Sequence, residues 1–536
     1  MGAEASAVDR IEMKKFWSQG EQYVWISGAT LAFTLLITLV LIMVVVFNGF
    51  GVFWPSQIQA LTLRDGSHLL GQRIEEEVSF DGTERVQFKI GNRDLYGLDF
   101  RWVTQSNIVT VAYPEDLWVV ERQEYGNFYG YLESAEGQPL TRKLLDQQLA
   151  SIAPDLDRAA EIKKAILKTN RRSERLRNKV LKLTYHGAAD SDPDVQRLEA
   201  ELSSEKEIFA AAVEQQSEVA ERLEMVLIQL RDINGRSKTM PLQELVRAYR
   251  PNQMTVPAKT FFYLAKIREL LLDEPRESNT EGGLFPAIFG TIVLVFLMSL
   301  LSFPLGVIGG VYLREYAKDG MMVRLVRIAV NNLAGIPSIV YGVFGLGFFV
   351  YGVGGAIDSL FFPERLPTPT FGTGGILWAG LTLGILTVPV VIVATEEAFG
   401  AIPHGVREAS LALGATKFQT LRKVLFPMAS PGILTGFILA MSRAAGEVAP
   451  LMITGVVKLA PSLPLDGQAP FLHFDRKFMH LGFHIYDIGF QSPNVEAAKP
   501  MVYVTTLLLV LVVLLMTSSA IRLRNRMKEK YTITGF

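Results

Sequence analysis

Two residues of opposite charge, Arg443 and Glu447, interrupt a long apolar run of the sequence. Their spacing of four positions puts both side chains on one face of a helix. A charge in the hydrocarbon of a membrane costs roughly 3 kcal/mol or more, so such residues usually face a water-filled path or a partner. Arginine supplies planar, bidentate donors and a charge that does not titrate, which suits phosphate. The pair is therefore a candidate for attracting an anion inside a membrane.

Two interpretations of this pair remain open. In the first, Arg443 lines a path and attracts the anion, while Glu447 holds it in place or keeps binding weak enough for release. In the second, the two charges neutralise each other and lock helices together, and small neighbours let another helix come close. These small neighbours are Ala440, Ala444, Gly446 and Ala449. We favour the path, and both roles are compatible.

A second group of residues has the spacing of a docking helix. Glu408-Ala409-Ser410 is followed by Gly414 and then by Val424-Leu425-Phe426-Pro427. The small residues predict a short helix of low profile, and Gly414 can end it because glycine adopts a left-handed cap without steric cost. Pro427 suits the approach to the next apolar run. Glu408 and neighbouring Arg407 could then contact a groove in a partner subunit; the alternative is an ordinary amphipathic connector.

Several other chemistries are disfavoured by the sequence. The chain has no cysteine, so it has neither disulfides nor thiolate nucleophiles. It contains no Gly-x4-Gly-Lys-Ser/Thr motif for binding ATP, and no nucleophile–base set that indicates an enzyme. His480 and His484 have the spacing of zinc ligands on a helix, but no Glu stands between them and Gly482 weakens the helix. We therefore predict surface histidines near a docking face and no metal site. The net charge of −1 indicates no nucleic-acid partner.

Six apolar stretches are long enough to position these residues in a membrane. A helix needs about 20 mostly apolar residues to cross a bilayer. The stretches lie at roughly 27–47, 284–312, 328–351, 375–395, 430–456 and 501–521. No small-x-small cleavage site follows the first stretch, so we interpret it as a retained anchor. The charged pair falls in the fifth stretch.

Positive charge predicts how these stretches are oriented. Lysine and arginine are concentrated after the second and fourth stretches and in both tails, where the N-terminal ones are Arg10, Lys14 and Lys15. All these segments lie on one side if both termini are cytoplasmic, as the positive-inside rule requires. The tails then cover roughly 1–26 and 528–536, and the large insert at roughly 48–283 lies on the other side. We predict a multi-pass protein of the cytoplasmic membrane.

The insert divides into two parts by composition. From roughly 57 to 133, short β-favouring runs alternate with Gly and Asp, which predicts a β-rich module. From roughly 140 to 232, the chain is rich in helix formers and is broken once near Gly187 and Pro193, which predicts a helical hairpin. An apolar stripe on the second helix consists of Val219, Leu223, Val226, Leu227 and Leu230. We interpret the hairpin as a solvated stalk, and a docking surface is the alternative.

Three motifs resemble a known family of membrane transport subunits. Glu408 to Gly414, followed by Pro427, resembles the EAA loop of bacterial ABC importer permeases. Arg443-Ala-Ala-Gly-Glu447-Val-Ala-Pro-Leu451 resembles the Arg-x-x-Gly-Glu-Thr-Ala-Pro-Leu run of PstA-type phosphate permeases, with Val448 in place of the usual Thr. Leu333-Ala-Gly-Ile-Pro-Ser-Ile-Val-Tyr-Gly342 resembles a segment that phosphate permease subunits share. The resemblance covers roughly 284–527.

This resemblance implies a mainly α membrane protein with six transmembrane helices of the type I ABC importer permease kind. A large extracytoplasmic α+β insert with a helical hairpin is added to that core. It implies that Arg443 and Glu447 take part in phosphate passage, and that Glu408, Ala409, Gly414 and Pro427 couple to an ATPase. Polar residues that are expected to line the path near them are Asn332, Ser338 and Tyr341.

The resemblance also implies partners in a bacterial inner membrane. These are a second, PstC-type permease subunit, two ATPase subunits, an extracytoplasmic phosphate-binding protein and membrane lipid. No cofactor is expected in this chain, since ATP and magnesium would be bound by the ATPase. Two alternatives remain, a permease for another oxyanion such as sulfate or molybdate, and a membrane sensor that transports nothing.

Overall fold

Within the residues that the structure describes, six helices are long and apolar enough to cross a membrane. A computed structural model describes residues 20–79, 82–134, 139–467, 471–492 and 494–531, so Arg10, Lys14 and Lys15 lie outside the described residues. The spans are Gln22–Gly51, Phe285–Tyr316, Ser338–Phe361, Ile376–Gly400, Lys417–Gly446 and Val495–Glu529. The prediction of a mainly helical protein with six membrane spans is confirmed.

Spans two, four and five pack closely because small residues stand where they cross. A Cβ atom added to Gly436 of span five would lie 2.2 Å from Cβ of Ala394 in span four. One added to Gly306 of span two would lie 2.5 Å from Cβ of Val391. Small residues allow this close approach, which van der Waals packing then stabilises in the absence of a hydrophobic driving force between helices. These three spans therefore form the core that holds the charged pair.

Span three begins later than the hydropathy of the sequence predicts. A separate amphipathic helix, Met321–Leu333, ends before Gly335, and the span starts at Ser338 immediately after Pro337. Proline lacks the amide hydrogen that a continuous helix requires, and Pro337 has an extended backbone with ψ of 134°. The predicted span at roughly 328–351 is therefore wrong at its start, because it combines the end of the amphipathic helix with the beginning of span three. Asn332 lies on the separate helix, outside the span.

Span five is also shifted, to Lys417–Gly446 in place of roughly 430–456. The helix ends at Gly446, Glu447 is extended with ψ of 134°, and a short helix follows at Ala449–Thr454. Glycine has low helix propensity, and Pro450 in the next turn has no amide hydrogen to continue the ladder. The expectation that Arg443 and Glu447 lie on one continuous helix is therefore wrong, and the pair lies at the end of the span.

Two antiparallel sheets of five strands form the β part of the insert. The first has the order β4-β3-β2-β1-β5, with strands Gln59–Leu63, His68–Val78, Glu84–Lys89, Phe100–Thr104 and Ile108–Ala112 numbered in chain order. The second has the order β10-β6-β7-β8-β9, with strands Trp118–Arg122, Asn127–Ser134, Leu227–Arg231, Ser237–Pro241 and Leu245–Tyr249. The β structure thus extends beyond the predicted 57–133, because three strands of the second sheet follow the hairpin.

The helical hairpin is inserted between β7 and β8. Its helices are Arg142–Tyr185 and Pro193–Met225, so the second helix ends before the predicted position near 232. Of the predicted stripe, Val219 and Leu223 are helical and buried, while Leu227 and Leu230 belong to β8. Pairing of β8 with β7 buries Ile228 and Leu230 in the same core as the base of the hairpin. Tertiary pairing has overridden helical periodicity there.

The insert rests on the loops that precede span six. Asn494 donates a hydrogen bond to Asp99 of the insert over 2.6 Å, and Arg171 of the hairpin pairs with Asp466 at 3.2 Å. A helix at Val256–Leu272 and a two-stranded ribbon, β11 Pro275–Arg276 and β12 Glu281–Gly282, lead from the second sheet to span two. The insert therefore lies at the same end of the spans as the loop before span six.

Candidate functional site

Arg443 lies in the last turn of span five, where the carbonyl ends of the helix favour a cation. Its Nε lies 3.4 Å from Oε1 of Glu447, and the two side chains are 38% and 18% exposed. In the described part of the chain, this long contact is the one ion pair of Arg443. Its terminal guanidinium nitrogens are consequently available, and a bidentate bond to an oxyanion requires such donors.

Tyr341 of span three packs beside this end of span five. It is buried and belongs to the same apolar cluster as Ala444 and Ala445. Its hydroxyl donates a hydrogen bond to the carbonyl of Leu333 over 2.7 Å. That proton is therefore already used to fix the corner between the amphipathic helix and span three. Close packing continues at Gly342, whose added Cβ would lie 2.8 Å from Cα of Pro450.

The other two polar residues predicted for the path are placed differently. Ser338 is part-buried as the first residue of span three, and Asn332 is exposed on the preceding amphipathic helix. Among the described residues, neither side chain forms a hydrogen bond with the charged pair. Only Tyr341 of the three shares a packed cluster with span five.

The short helix predicted around Glu408 is present at His404–Ala412. Gly414 has φ of +85° and donates its amide to Leu411 over 2.9 Å, while Ala415 donates to Ser410 over 3.2 Å. These two bonds form a Schellman cap, and a capping box of Thr416 and Gln419 starts the following helix. The turn is thus fixed by its own hydrogen bonds. Glu408 and Ala409 are exposed on this helix, which we name the coupling helix.

Arg407 anchors the coupling helix to the membrane domain, a role that its sequence neighbourhood did not reveal. It pairs with Glu315 at the end of span two at 2.8 Å. It also donates to the carbonyls of Phe399 and Ile402, at 2.6 and 2.8 Å. The expectation that Arg407 contacts a partner is therefore wrong, because its donors are used within the chain. Glu408, in contrast, forms no ion pair with any other described residue.

The surface next to the coupling helix is apolar. Leu413, just before the glycine cap, is 90% exposed, and Phe418 is 61% exposed. Pro427 follows a π-helical turn, Leu421–Leu425, and is the second residue of the α-helical part of span five, Phe426–Gly446. An exposed carboxylate beside exposed apolar side chains is typical of a protein-docking surface.

His480 and His484 are buried, so the prediction of surface histidines is wrong. Burial lowers the pKa of both to about 4, which keeps them neutral at pH 7. Nδ1 of His480 accepts a hydrogen bond from the amide of Gly482 over 3.1 Å and caps the short helix Leu481–Tyr486. These histidines pack the loop between spans five and six.

The six spans and the exposed coupling helix define a multi-pass membrane protein of the importer-permease class. Residues 302–529 match the family described as "Binding-protein-dependent transport system inner membrane component". The chain is 34% identical over 223 residues to the probable ABC transporter permease protein YqgI of Bacillus subtilis, covering 40% of this chain and 70% of that protein. The chain belongs to this family of transport permeases, and its insert precedes the matched region.

Two further relatives carry phosphate in their names. The probable phosphate transport system permease protein PstA of Methanocaldococcus jannaschii is 34% identical over 221 residues, which is 40% of this chain and 67% of that protein. The phosphate transport system permease protein PstA 1 of Mycobacterium tuberculosis is 35% identical over 185 residues, 34% of this chain and 54% of that protein. A solved MetNI methionine ABC transporter is 22% identical with a TM-score of 0.33, covering 51% of this chain and 99% of that one.

Proposed function

We propose that this chain is the permease subunit of an ATP-driven phosphate importer, in which Arg443 lines the anion path. The observation that carries the proposal is the weak pairing of Arg443. Its part-exposed side chain makes one contact with Glu447, at 3.4 Å. A structural ion pair that locks helices would be closer and more fully satisfied, because an unmet buried charge is costly. The names of the PstA relatives support phosphate as the anion.

Each predicted site residue has a role in this proposal. Glu447 moderates the attraction of Arg443 for the anion so that the anion can leave. Tyr341 positions the start of span three, and Ser338 and Asn332 lie at the approach to it. Glu408 and Ala409 dock to an ATPase, Gly414 ends the docking helix, and Pro427 lies in the first turn of the α-helical part of span five.

The proposal includes the predicted partners. This chain would form one half of the translocation path, and a PstC-type permease subunit would form the other half. Two ATPase subunits would hold ATP and magnesium. A phosphate-binding protein would deliver the anion from outside. The docking surface around Glu408 supports an ATPase partner because it combines charge with exposed apolar side chains.

Labelled phosphate uptake tests the substrate directly. A strain without this chain should lose most phosphate uptake at low external concentration and regain it when the chain is restored. Sulfate and molybdate uptake are the controls. Loss of sulfate or molybdate uptake with normal phosphate uptake would support the other oxyanion permease, and no change in any uptake, with no ATPase co-purifying, would support the membrane sensor.

We propose that the insert is extracytoplasmic and that both termini are cytoplasmic, in the inner membrane. The chain has no cysteine, so one introduced cysteine reports its own side without background. Ser191→Cys, in the exposed turn of the hairpin, should react with a membrane-impermeant maleimide in intact spheroplasts. Lys423→Cys, exposed in the basic first turns of span five, should react only after the membrane is opened. Labelling in the reverse order would overturn this topology.

A further inference from the structure

A polar cavity lies where the insert meets the membrane domain. Its volume is about 160 Å³, far larger than the roughly 30 Å³ that one water molecule occupies in the liquid. Its walls come from the segment after span one, from both sheets, from helix Val256–Leu272 and from the start of span six. The cavity therefore has room for a small polyatomic group together with water.

Two carboxylates in its wall are neutralised by the chain itself. Glu121 pairs with Lys266 at 2.7 Å and with Arg247 at 3.5 Å. Glu269 pairs with Arg276 at 2.7 Å, with Arg247 at 2.9 Å and with Lys266 at 3.3 Å. Three cations thus pair with two carboxylates, which leaves one net positive charge in this network, although Arg247 is not itself part of the cavity wall.

A further lysine adds to this excess. Lys89, the last residue of β3, lines the cavity and forms no ion pair or side-chain hydrogen bond within the described residues. Burial acts to lower its pKa, but Tyr129, Glu281 and other acidic groups nearby raise the pKa above its ordinary value, so the lysine stays charged. An ammonium group in such a place is costly unless an anion accompanies it.

Glu281 is the third carboxylate of the wall and offsets one of these charges, so the cluster counts four cations, Lys89, Lys266, Arg276 and Arg247, against three carboxylates. Glu281 lies on β12 opposite Arg276 of β11, and burial raises the pKa of Glu281 above its ordinary value. Tyr129 and Tyr249 also line the cavity, and burial raises the pKa of both, so their hydroxyls keep their protons.

We infer that this cavity binds a phosphate group, with Lys89, Lys266 and Arg276 as its cationic ligands. Arginine and lysine together are suited to phosphate oxygens, one through paired donors and the other as a point charge. The group has two possible sources. The cavity adjoins Trp54, just after span one, and Pro500, near the start of span six, so it lies at one end of the spans, where headgroups are expected. A phospholipid or free inorganic phosphate could therefore supply the group.

Lys89→Gln is the decisive variant because it removes a cation without leaving a paired carboxylate stranded. The matched control is Arg268→Gln, an exposed cation on the same helix as Lys266 but outside the cavity wall. Both are made in a full-length chain that also carries Arg443→Gln, so that binding at the proposed anion path does not contribute. The site is thereby tested independently of the transport proposal.

Inorganic phosphate is titrated against the purified chain by calorimetry and by thermal unfolding. If free phosphate is the ligand, it should raise the unfolding temperature, and Lys89→Gln should weaken binding by at least about 10-fold, the loss expected for one charged hydrogen bond. Arg268→Gln should bind as the parent chain does, and Lys89→Arg should restore most of the affinity.

The lipid arm uses native mass spectrometry of the chain released from phosphatidylglycerol nanodiscs. Retention of one phosphatidylglycerol that is lost in Lys89→Gln, together with no effect of inorganic phosphate, assigns the site to a lipid headgroup. Nanodiscs of a galactolipid without phosphate are the control and should leave no retained lipid. If neither inorganic phosphate nor phosphatidylglycerol binds in a Lys89-dependent manner, the inference is overturned and the charges serve only the fold.

Discussion

Arg443→Gln should reduce phosphate uptake by about 100-fold or more while the transport complex still assembles. The amide keeps much of the size of arginine but loses the charge and the planar pair of donors. Two charged hydrogen bonds at roughly 1.5 kcal/mol or more each account for a loss of this size. Arg443→Lys should also fail substantially, since a point charge lacks the planar fork. The measurements are labelled phosphate uptake and the yield of complex from the same membranes.

Glu447→Gln is the variant that separates the anion path from a structural ion pair. Arg443 is 38% exposed and holds Glu447 through one contact of 3.4 Å, so it does not depend on Glu447 for neutralisation. Complex yield should therefore be unchanged in Glu447→Gln. If the pair instead locks helices, Glu447→Gln strands an arginine that cannot discharge and lowers the yield, while Arg443→Gln is milder because a stranded carboxyl can take up a proton. Normal uptake in Arg443→Gln would contradict the path.

The number of spans could be predicted from the sequence, but the ends of two of them could not. Hydropathy is averaged over a window, so it reports the length and apolarity of a stretch. A single helix-breaking residue, such as Pro337 or Gly446, hardly changes that average. Those two residues decide where spans three and five begin or end, and hence whether Asn332 and Glu447 lie inside a span. The sequence shows that a proline and a glycine are present at these positions. It does not show whether either residue breaks the helix or is tolerated within the apolar run.

Other features of the fold depend on contacts between distant segments. The strand Leu227–Arg231 has the composition of a helix end, and its pairing with Asn127–Ser134 across the hairpin decides its structure. Burial of His484 likewise depends on span six, whose Thr505 hydroxyl lies 3.5 Å from Nδ1 of His484. The coupling helix shows the opposite case, because its cap is formed by residues close in sequence and could be predicted from Gly414.

The anchor of the coupling helix could not be predicted, and it sharpens the test of that helix. Arg407 and Glu408 are neighbours in sequence with opposite tasks in the structure. The first is part-buried and tied to Glu315 and to two carbonyls of the membrane domain, and the second is exposed without an ion pair among the described residues. A change at Glu408 therefore leaves the chain's own contacts intact, whereas a change at Arg407 removes the support of the whole helix.

Glu408→Lys should insert and fold normally but lose at least about 10-fold in phosphate uptake and in ATPase stimulation, because a reversed charge opposes docking of a small helix. The amount of ATPase that co-purifies should fall with it. Arg407→Met is the matched comparison: it leaves the Glu315 carboxylate without its partner, so the chain itself should unfold at a lower temperature. Unchanged uptake and unchanged ATPase co-purification in Glu408→Lys would remove the coupling role from this helix. A lowered unfolding temperature in Glu408→Lys would instead show that Glu408, like Arg407, supports the chain's own fold.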